Sequence, residues 1–284
     1  MKAAAFDYIK PTSFDHVLDL LQEHGDDARL MAGGQSLMAT LNMRLSEPAL
    51  VIDITGLDAL RGISVQNQHL RIGALVTHAE IEASPLVARH APMLAKAAPH
   101  IAHRAIRNAG TWGGSIAYAD PAAEWPACVL ALGGTVVARG LGGERRIAAD
   151  DFFLGLYTTA LRPAEVLVAG EIPVAEVDHW WGFSELARRH GDYAIVGIAA
   201  SARRAGTALH DARIALFGVG ATPVRALKTE ALLNGKGLAD INVAEAVASI
   251  RAEIDPFSDL TNSTDTKRHL AGVLLQRMLG TSQA

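Results

Sequence analysis

Apolar and polar positions along the first sixty residues alternate in blocks that read as strand, helix, strand. Phe6-Asp7-Tyr8-Ile9 has the pattern of a short strand. Phe14, Val17, Leu18 and Leu21 then recur at i, i+3, i+4 and i+7, which makes one apolar helical face. Thr12 is the expected N-cap, with Asp15 three positions on as its capping-box partner, and Gly25 is the expected stop. Arg29 to Ala32 reads as the next strand and runs directly into Gly33-Gly34. A short helix over Ser36 to Met43 and a buried strand over Ala49 to Ile54 follow.

The pattern then changes. Ile63-Ser64-Val65 and His69-Leu70-Arg71-Ile72 predict a hairpin around Gln66-Asn67-Gln68. Thr77 and Glu80 form a second capping box, opening an Ala-rich helical region that runs to about Ala105. Beyond it lies the segment RNAGTWGGSIAYADPAAEWP, from Arg107 to Pro126. A helix, a strand over Thr135 to Arg139 and a strand over Val166 to Ile172, closed by Pro173, come next. From Asp178 onward, Trp180 to Leu186, Ile195 to Arg203 and Ala212 to Val219 read as three successive strands. Thr222-Pro223 is expected to start a helix, with proline at the tolerated first position. Val243 to Ile254 and Thr266 to Leu279 are two more helical stretches. Strands followed by helices imply an α+β domain at the C-terminal end, with a boundary near residue 177.

Composition narrows the function classes. Half of the 284 residues are hydrophobic, enough for more than one packed domain. Charged residues are 20% of the chain and the net charge is −4, which argues against a nucleic-acid partner. The basic pairs Arg145-Arg146 and Arg203-Arg204 are isolated and read as solvated surface. No apolar run approaches the roughly 20 residues of a membrane span. The opening MKAAAFDYIKPTSFDH lacks the apolar core of a secretory signal, so a cytoplasmic protein is expected. The single cysteine, Cys128, excludes an intrachain disulfide framework. It also excludes a cluster held by four thiolates of this chain, and in the run PACVLALGG it reads as a packing residue.

Two segments carry candidate chemistry. Ala32-Gly33-Gly34-Gln35-Ser36 joins a strand to a helix, and Thr111-Trp112-Gly113-Gly114-Ser115 repeats its character. Paired glycines let a ligand approach the main chain, and exposed loop N–H groups suit phosphate oxygens. Each loop alone is equally an ordinary turn. Together, from two subdomains, they could grip a pyrophosphate from both sides. The Rossmann pattern G-x-G-x-x-G is absent, although Asp53 follows the first glycines at the distance of a ribose-binding acid. The Walker pattern is absent too. His78-Ala79-Glu80 opens like a zinc deaminase signature without its cysteine half. His100 and His103 stand at helical spacing without a third ligand, and Asp120 with Glu124 reads more naturally as ligand contact than as an acid–base pair.

At these loops the chain resembles a known family. AGGQS at 32–36 and TWGGSIAYADPAAE at 111–124 resemble the two FAD-binding motifs of the medium, flavin-carrying subunits of molybdenum hydroxylases, of the carbon monoxide dehydrogenase and xanthine dehydrogenase type. FDYIKPTSFDHVLDLL, LVIDIT, RIGALVTHAEIE and RRHGDYAIVGIAA extend the resemblance over the whole chain. It implies an α+β fold: a two-subdomain FAD-binding domain of the vanillyl-alcohol-oxidase/PCMH type over residues 1–177 (subdomains about 1–57 and 58–177). A smaller C-terminal α+β domain over 178–284, a three-stranded sheet plus helices, completes it. By resemblance, Ala32, Gly33, Gly34, Gln35 and Ser36, with Thr111, Trp112, Gly113, Gly114 and Ser115, surround the pyrophosphate of noncovalent FAD. Glu124 matches an acidic cofactor ligand, Ile101 and Leu167 match flavin contacts, and Asp192-Tyr193 falls in a loop near the isoalloxazine. A lysine that some relatives carry before this loop appears here as Ser184 or a neighbour.

The implied partners are a small subunit with [2Fe–2S] clusters and a large subunit with a molybdenum–pterin cofactor, in a dimer of heterotrimers. This chain would relay electrons from the clusters to an external acceptor while the large subunit oxidises a small organic substrate, an N-heterocycle for example, or carbon monoxide. Two other readings stay open on the residues: a self-sufficient FAD-dependent oxidoreductase with its own substrate, and a binding protein whose glycine loops are structural. Valine at Gly33 or Gly113 is expected to abolish FAD binding by blocking approach to the main chain.

Overall fold

The computed structural model describes residues 2–175 and 178–281. The expected domain boundary at residue 177 lies outside the described residues. The chain opens with β1 (Asp7–Ile9), α1 (Phe14–His24), β2 (Ala28–Met31), α2 (Leu37–Asn42) and β3 (Leu50–Asp53). The strands form a small parallel sheet in the order β1-β3-β2, with β3 buried along its whole length. Val17, Leu18 and Leu20 of α1 pack onto it. Ser13, not Thr12, caps α1, its side chain accepting from the His16 N–H at 3.3 Å. The helix starts one residue later than expected. Asp15 therefore falls short of the reciprocal capping position and stands 87% exposed near Arg139.

A hairpin of β4 (Ile63–Gln66) and β5 (His69–Gly73) follows, turning on Asn67 and Gln68 with φ of 48° and 60°. Positive φ at both central residues is the twist that a two-residue hairpin needs. The Ala-rich region beyond it is not one helix. It breaks into α3 (His78–Ala83), α4 (Pro85–His90), α5 (Pro92–Ala97) and, after a tight turn, α6 (Arg104–Arg107). Pro85 and Pro92 each open a new helix because proline cannot continue the hydrogen-bond ladder of the previous one. Two short helices then occupy the glycine-rich segment and its sequel, α7 (Trp112–Tyr118) and α8 (Glu124–Ala131). After them come β6 (Thr135–Gly140), β7 (Gly143–Ala148), the small hairpin of β8 (Phe153–Gly155) and β9 (Thr158–Thr159), and β10 (Val166–Pro173). An antiparallel sheet in the order β4-β5-β10-β6-β7 results, and its strand β7 was not predicted.

The last part holds β11 (His179–Leu186), β12 (Val196–Ala205), β13 (Ala208–Phe217), β14 (Val224–Arg225), α9 (Leu227–Leu233), α10 (Val243–Glu253) and α11 (Thr264–Thr281). The sheet has four antiparallel strands rather than the expected three, in the order β11-β12-β13-β14. Thr222-Pro223 does not start a helix. Val224 and Arg225 pair with Leu216 and Ala215, and the helix begins at Leu227. The Arg225 side chain is held by Glu230 and, at 3.0 Å, by Asp150, which keeps this segment against the sheet edge.

Strand alternation gives this sheet two buried faces. Ile198, Ala200, Ile214 and Leu216 pack under α10 and α11. Phe183, Ala199, Ala215 and Phe217 face the other way, into the core of the preceding domain, where α8 lies. Ser201 Oγ donates to the Ala131 carbonyl at 2.6 Å and Arg213 Nε to the Leu130 carbonyl at 2.8 Å, so the sheet fixes the C-terminal end of α8. Phe183 and Phe217 stack with ring centroids 5.9 Å apart. A side chain on Gly197 would place its Cβ 1.9 Å from the Phe217 ring. Gly197→Ala is therefore expected to cost about 1–3 kcal/mol of stability through overpacking. Thermal melting should show this loss, and Gly197→Ala combined with Phe217→Leu should regain part of it.

Candidate functional site

A cavity of about 630 Å³ opens where α2, α7, α8 and the loop before β12 meet, within the roughly 300–1,000 Å³ range of cofactor sites. Ala32, Gly33, Gly34, Gln35, Ser36, Ile101, Thr111, Gly113, Gly114, Ser115, Glu124, Leu167, Asp192 and Tyr193 all line it. Trp112 does not. Its side chain is fully buried behind the second loop, 5.3 Å from Trp125 between ring centroids and directly over Gly170. A smaller cleft of about 420 Å³ near Phe14, Arg71 and Arg139 lies among surface ion pairs and shares none of these residues.

The two glycine loops differ in how their backbones are used. Among the described residues, no protein acceptor takes the N–H groups of Gly33, Gly34, Gln35, Ser36 or Leu37, and the Ser36 side chain makes no cap bond. These residues line the cavity with N–H groups that no protein acceptor takes. In the second loop the donors are spent internally. Trp112 N–H bonds to Val76 O at 2.8 Å, Gly113 N–H to Ala74 O at 2.9 Å, and Gly114 N–H to the Thr111 side chain at 3.2 Å. The expectation that both loops offer N–H groups is thus corrected: the first does, and the second lends shape and the Ser115 side chain.

The glycines themselves serve close packing. A Cβ on Gly33 would lie 2.1 Å from Ala109 O, and one on Gly113 would lie 2.5 Å from Ala74 Cβ. A Cβ on Gly114 would come 3.6 Å from Ala32 Cβ, so the loops adjoin. His78 N–H to Gly110 O, at 3.0 Å, ties the second loop to α3.

The ionisable groups around the cavity are shifted by burial. Desolvation, then the carboxylates of Glu185 and Asp120, push the Glu124 carboxyl up to about 8. Burial also raises Asp120. His78, which sequence reasoning had noted only for a deaminase-like tripeptide, lines the cavity. Desolvation and then Arg107 hold its imidazole down at about 4. A neutral ring fits its role, since His78 Nδ1 accepts from Trp125 Nε1 at 3.0 Å. Tyr118 and Tyr157 stand 5.0 Å apart at the mouth, and Tyr157, on a backbone with φ of 52°, was not foreseen. Cys128 is buried as expected, and burial raises its thiol well above its ordinary range.

Other sequence candidates resolve as structure. Asp53 accepts from Tyr8 and from Thr55 N–H and sits 3.7 Å from Lys10, so it braces β1 against β3 instead of reaching the cavity. His100 ends a tight turn and His103 precedes α6, so the pair does not share a helical face. No metal-holding group of His, Cys, Asp and Glu occurs among the described residues, and no described helix is long and apolar enough to cross a membrane. Ser184 lies on β11 outside the cavity wall.

Residues 4–175 match the FAD binding domain in molybdopterin dehydrogenase, and residues 181–282 match the CO dehydrogenase flavoprotein C-terminal domain. The chain belongs to the FAD-binding medium subunits of molybdenum hydroxylases. This medium subunit is 38% identical to the nicotine 6-hydroxylase medium subunit of Paenarthrobacter nicotinovorans, over 98% of each chain. Its fold superimposes on carbon monoxide dehydrogenase from Hydrogenophaga pseudoflava with a TM-score of 0.96 at 36% identity, covering 100% of this chain and 99% of the other. Quinoline 2-oxidoreductase from Pseudomonas putida 86 gives 0.92 at 38% identity, over 99% and 98%. The medium subunit is therefore the FAD-carrying part of an oxidoreductase, built of an FAD-binding domain and a C-terminal α+β domain.

Two outcomes follow from this geometry. Gly33→Ala and Gly113→Ala should lower the melting temperature of the apoprotein, because each Cβ meets backbone before any ligand arrives. Glu124 should make the apoprotein less stable as pH rises from about 4.5 to about 8, since the unfolded chain releases this proton first. The melting temperature of Glu124→Gln relative to wild type should accordingly climb over that interval and level off above it.

Proposed function

We propose that the cavity holds noncovalent FAD with its pyrophosphate against residues 32–36, and that this chain relays electrons within a heteromeric molybdenum hydroxylase. The row of free N–H groups from Gly33 to Leu37 carries the reading, because such a wall is satisfied by phosphate oxygens. Ser36, Thr111, Ser115 and the bare Cα of Gly114 complete the cradle. Ile101 and Leu167 give apolar contact to the cofactor's ring system. Glu124, held neutral at pH 7, offers a carboxylic acid as hydrogen-bond donor within the cavity. Asp192 and Tyr193 border the mouth. Trp112 supports the second loop from behind and makes no side-chain contact with the cofactor.

Bound FAD supplies a carrier that exchanges electrons singly or in pairs. The residues of this chain bind it, orient it and shield it from water. In the complex, [2Fe–2S] clusters of a small partner deliver the electrons, and a molybdenum–pterin site of a large partner generates them by oxidising a small organic substrate. An N-heterocycle is the substrate class favoured by the nicotine- and quinoline-acting relatives. The single cysteine supports this division of labour, since a chain with one thiol cannot hold such a cluster. The assembly is a cytoplasmic dimer of heterotrimers that discharges to an external acceptor.

Purified chain should show oxidised flavin absorbance, and co-expression with neighbouring genes should bring down a cysteine-rich small chain and a large chain. Bleaching of the flavin by an organic substrate in the absence of partners would favour a self-sufficient oxidoreductase and overturn the relay. Ser115→Asp sets a negative charge beside the proposed pyrophosphate and should weaken FAD binding about tenfold or more, with Ser115→Asn affected less. Equilibrium flavin titration measures both.

A further inference from the structure

Beside the cavity, three separate elements contribute ionisable side chains that act on one another. Glu124 opens α8 and lines the cavity. Glu185 lies on β11 on the face it shares with Phe183, which is buried in the core that also contains Cys128 of α8. Its side chain is only 6% exposed and does not reach the cavity wall, and its Oε2 is buried without a partner. Its Oε1 lies 3.4 Å from Nδ1 of His100, whose side chain is 35% exposed. Glu185 is the charged group that acts most strongly on Glu124, and both act on Cys128 one helical turn along α8.

Such a pair is costly. Among the described residues neither carboxyl has a lysine or arginine partner, and burial of a carboxyl without one carries a desolvation penalty. Apolar residues of similar size would fill the space more favourably. The arrangement thus has no packing rationale.

We propose that His100, Glu185 and Glu124 form a proton path between bulk water and the cavity, serving the proton exchange that accompanies electron transfer at the bound cofactor. This rests on the FAD assignment above. Electrons from one-electron iron–sulfur carriers bring no protons, so the two protons of a fully reduced isoalloxazine would come from water, and on reoxidation they would pass to the acceptor or return to water. Protons enter from water at His100, pass through Glu185 and are handed on by Glu124, and those the acceptor does not take leave by the same groups on reoxidation. Glu124 holds its proton at neutral pH for the reason already given, burial first and the Glu185 carboxylate second. The other groups facing it are Asp120 in the preceding loop, Cys128 on its own helix and Tyr193 across the cavity. At the outer end, the Phe183 ring stands 5.3 Å from His100, and Arg107 is engaged with the carbonyls of Pro99, Ile101 and Ala102.

The test uses Glu185→Gln and His100→Ala in the assembled complex, with Glu124 intact. Flavin content should match wild type. Reduction of the flavin by the partner's clusters should slow roughly tenfold or more and show a larger solvent deuterium effect. Added imidazole should restore the rate in His100→Ala. In the apoprotein, infrared titration should show a carboxylic acid band that vanishes in Glu124→Gln and titrates at lower pH in Glu185→Gln. Wild-type rates and isotope effects in both variants would overturn the path and put proton entry at the mouth. So would loss of flavin in Glu185→Gln, or a Glu124 titration unmoved by that change. A wild-type chain that binds no flavin would instead sink the FAD assignment, while the apoprotein titration would still report on the coupling of the carboxyls.

Discussion

The site depends on two places where main chain meets main chain without room for a methyl group. Gly33 lies against the carbonyl of Ala109, and Gly113 lies against Ala74. These contacts draw the first parallel sheet, the β5 end of the second sheet and the helices between them into one wall. The Thr111 hydroxyl and the Val76 and Ala74 carbonyls saturate the second loop, and the first loop keeps its donors unpaired among the described residues. On the proposed function, a ligand with anionic oxygens would complete what the fold leaves unpaired.

A second constraint comes from behind. α8 carries a carboxyl at its start, a thiol one turn later and backbone carbonyls at its end that the C-terminal sheet captures through Ser201 and Arg213. Because that sheet is buried on both faces, it cannot move away from α8 without exposing Phe183 and Phe217. The C-terminal domain therefore acts as a rigid back plate to the cofactor domain, and Glu124 inherits its dry surroundings from it.

Much of the fold was legible from periodicity. The α1 face, the β4–β5 hairpin, the three long C-terminal strands and α10 and α11 all follow apolar spacing. What failed did so for local reasons. Ser13 displaced Thr12 as a cap because one residue decides where a helix turns, and both carry hydroxyls. Proline read as a helix opener at Pro223 is equally good beside an edge strand, and the ion pairs of Arg225, invisible in sequence, settled the matter. β7 escaped because GERRIA is charged, and its arginines lie flat on Glu165 and Glu171. At the site, the residue types of both loops were readable, but which N–H groups stay free was not. That depends on Ala74 and Val76, residues distant in sequence. Trp112 looked like a ligand for its place in the motif and proved to be core.

The packing role of the glycines bears on how such motifs are read elsewhere. Gly33 and Gly113 answer to the architecture, so a duplicated copy of this gene that had lost its flavin would still be held to them by folding. Ser36, Ser115 and Glu124 have no such obligation and would be free to drift. The paired glycines therefore diagnose ancestry, and, on the proposed FAD contacts, the hydroxyl and carboxyl positions beside them would diagnose whether the cofactor is still kept.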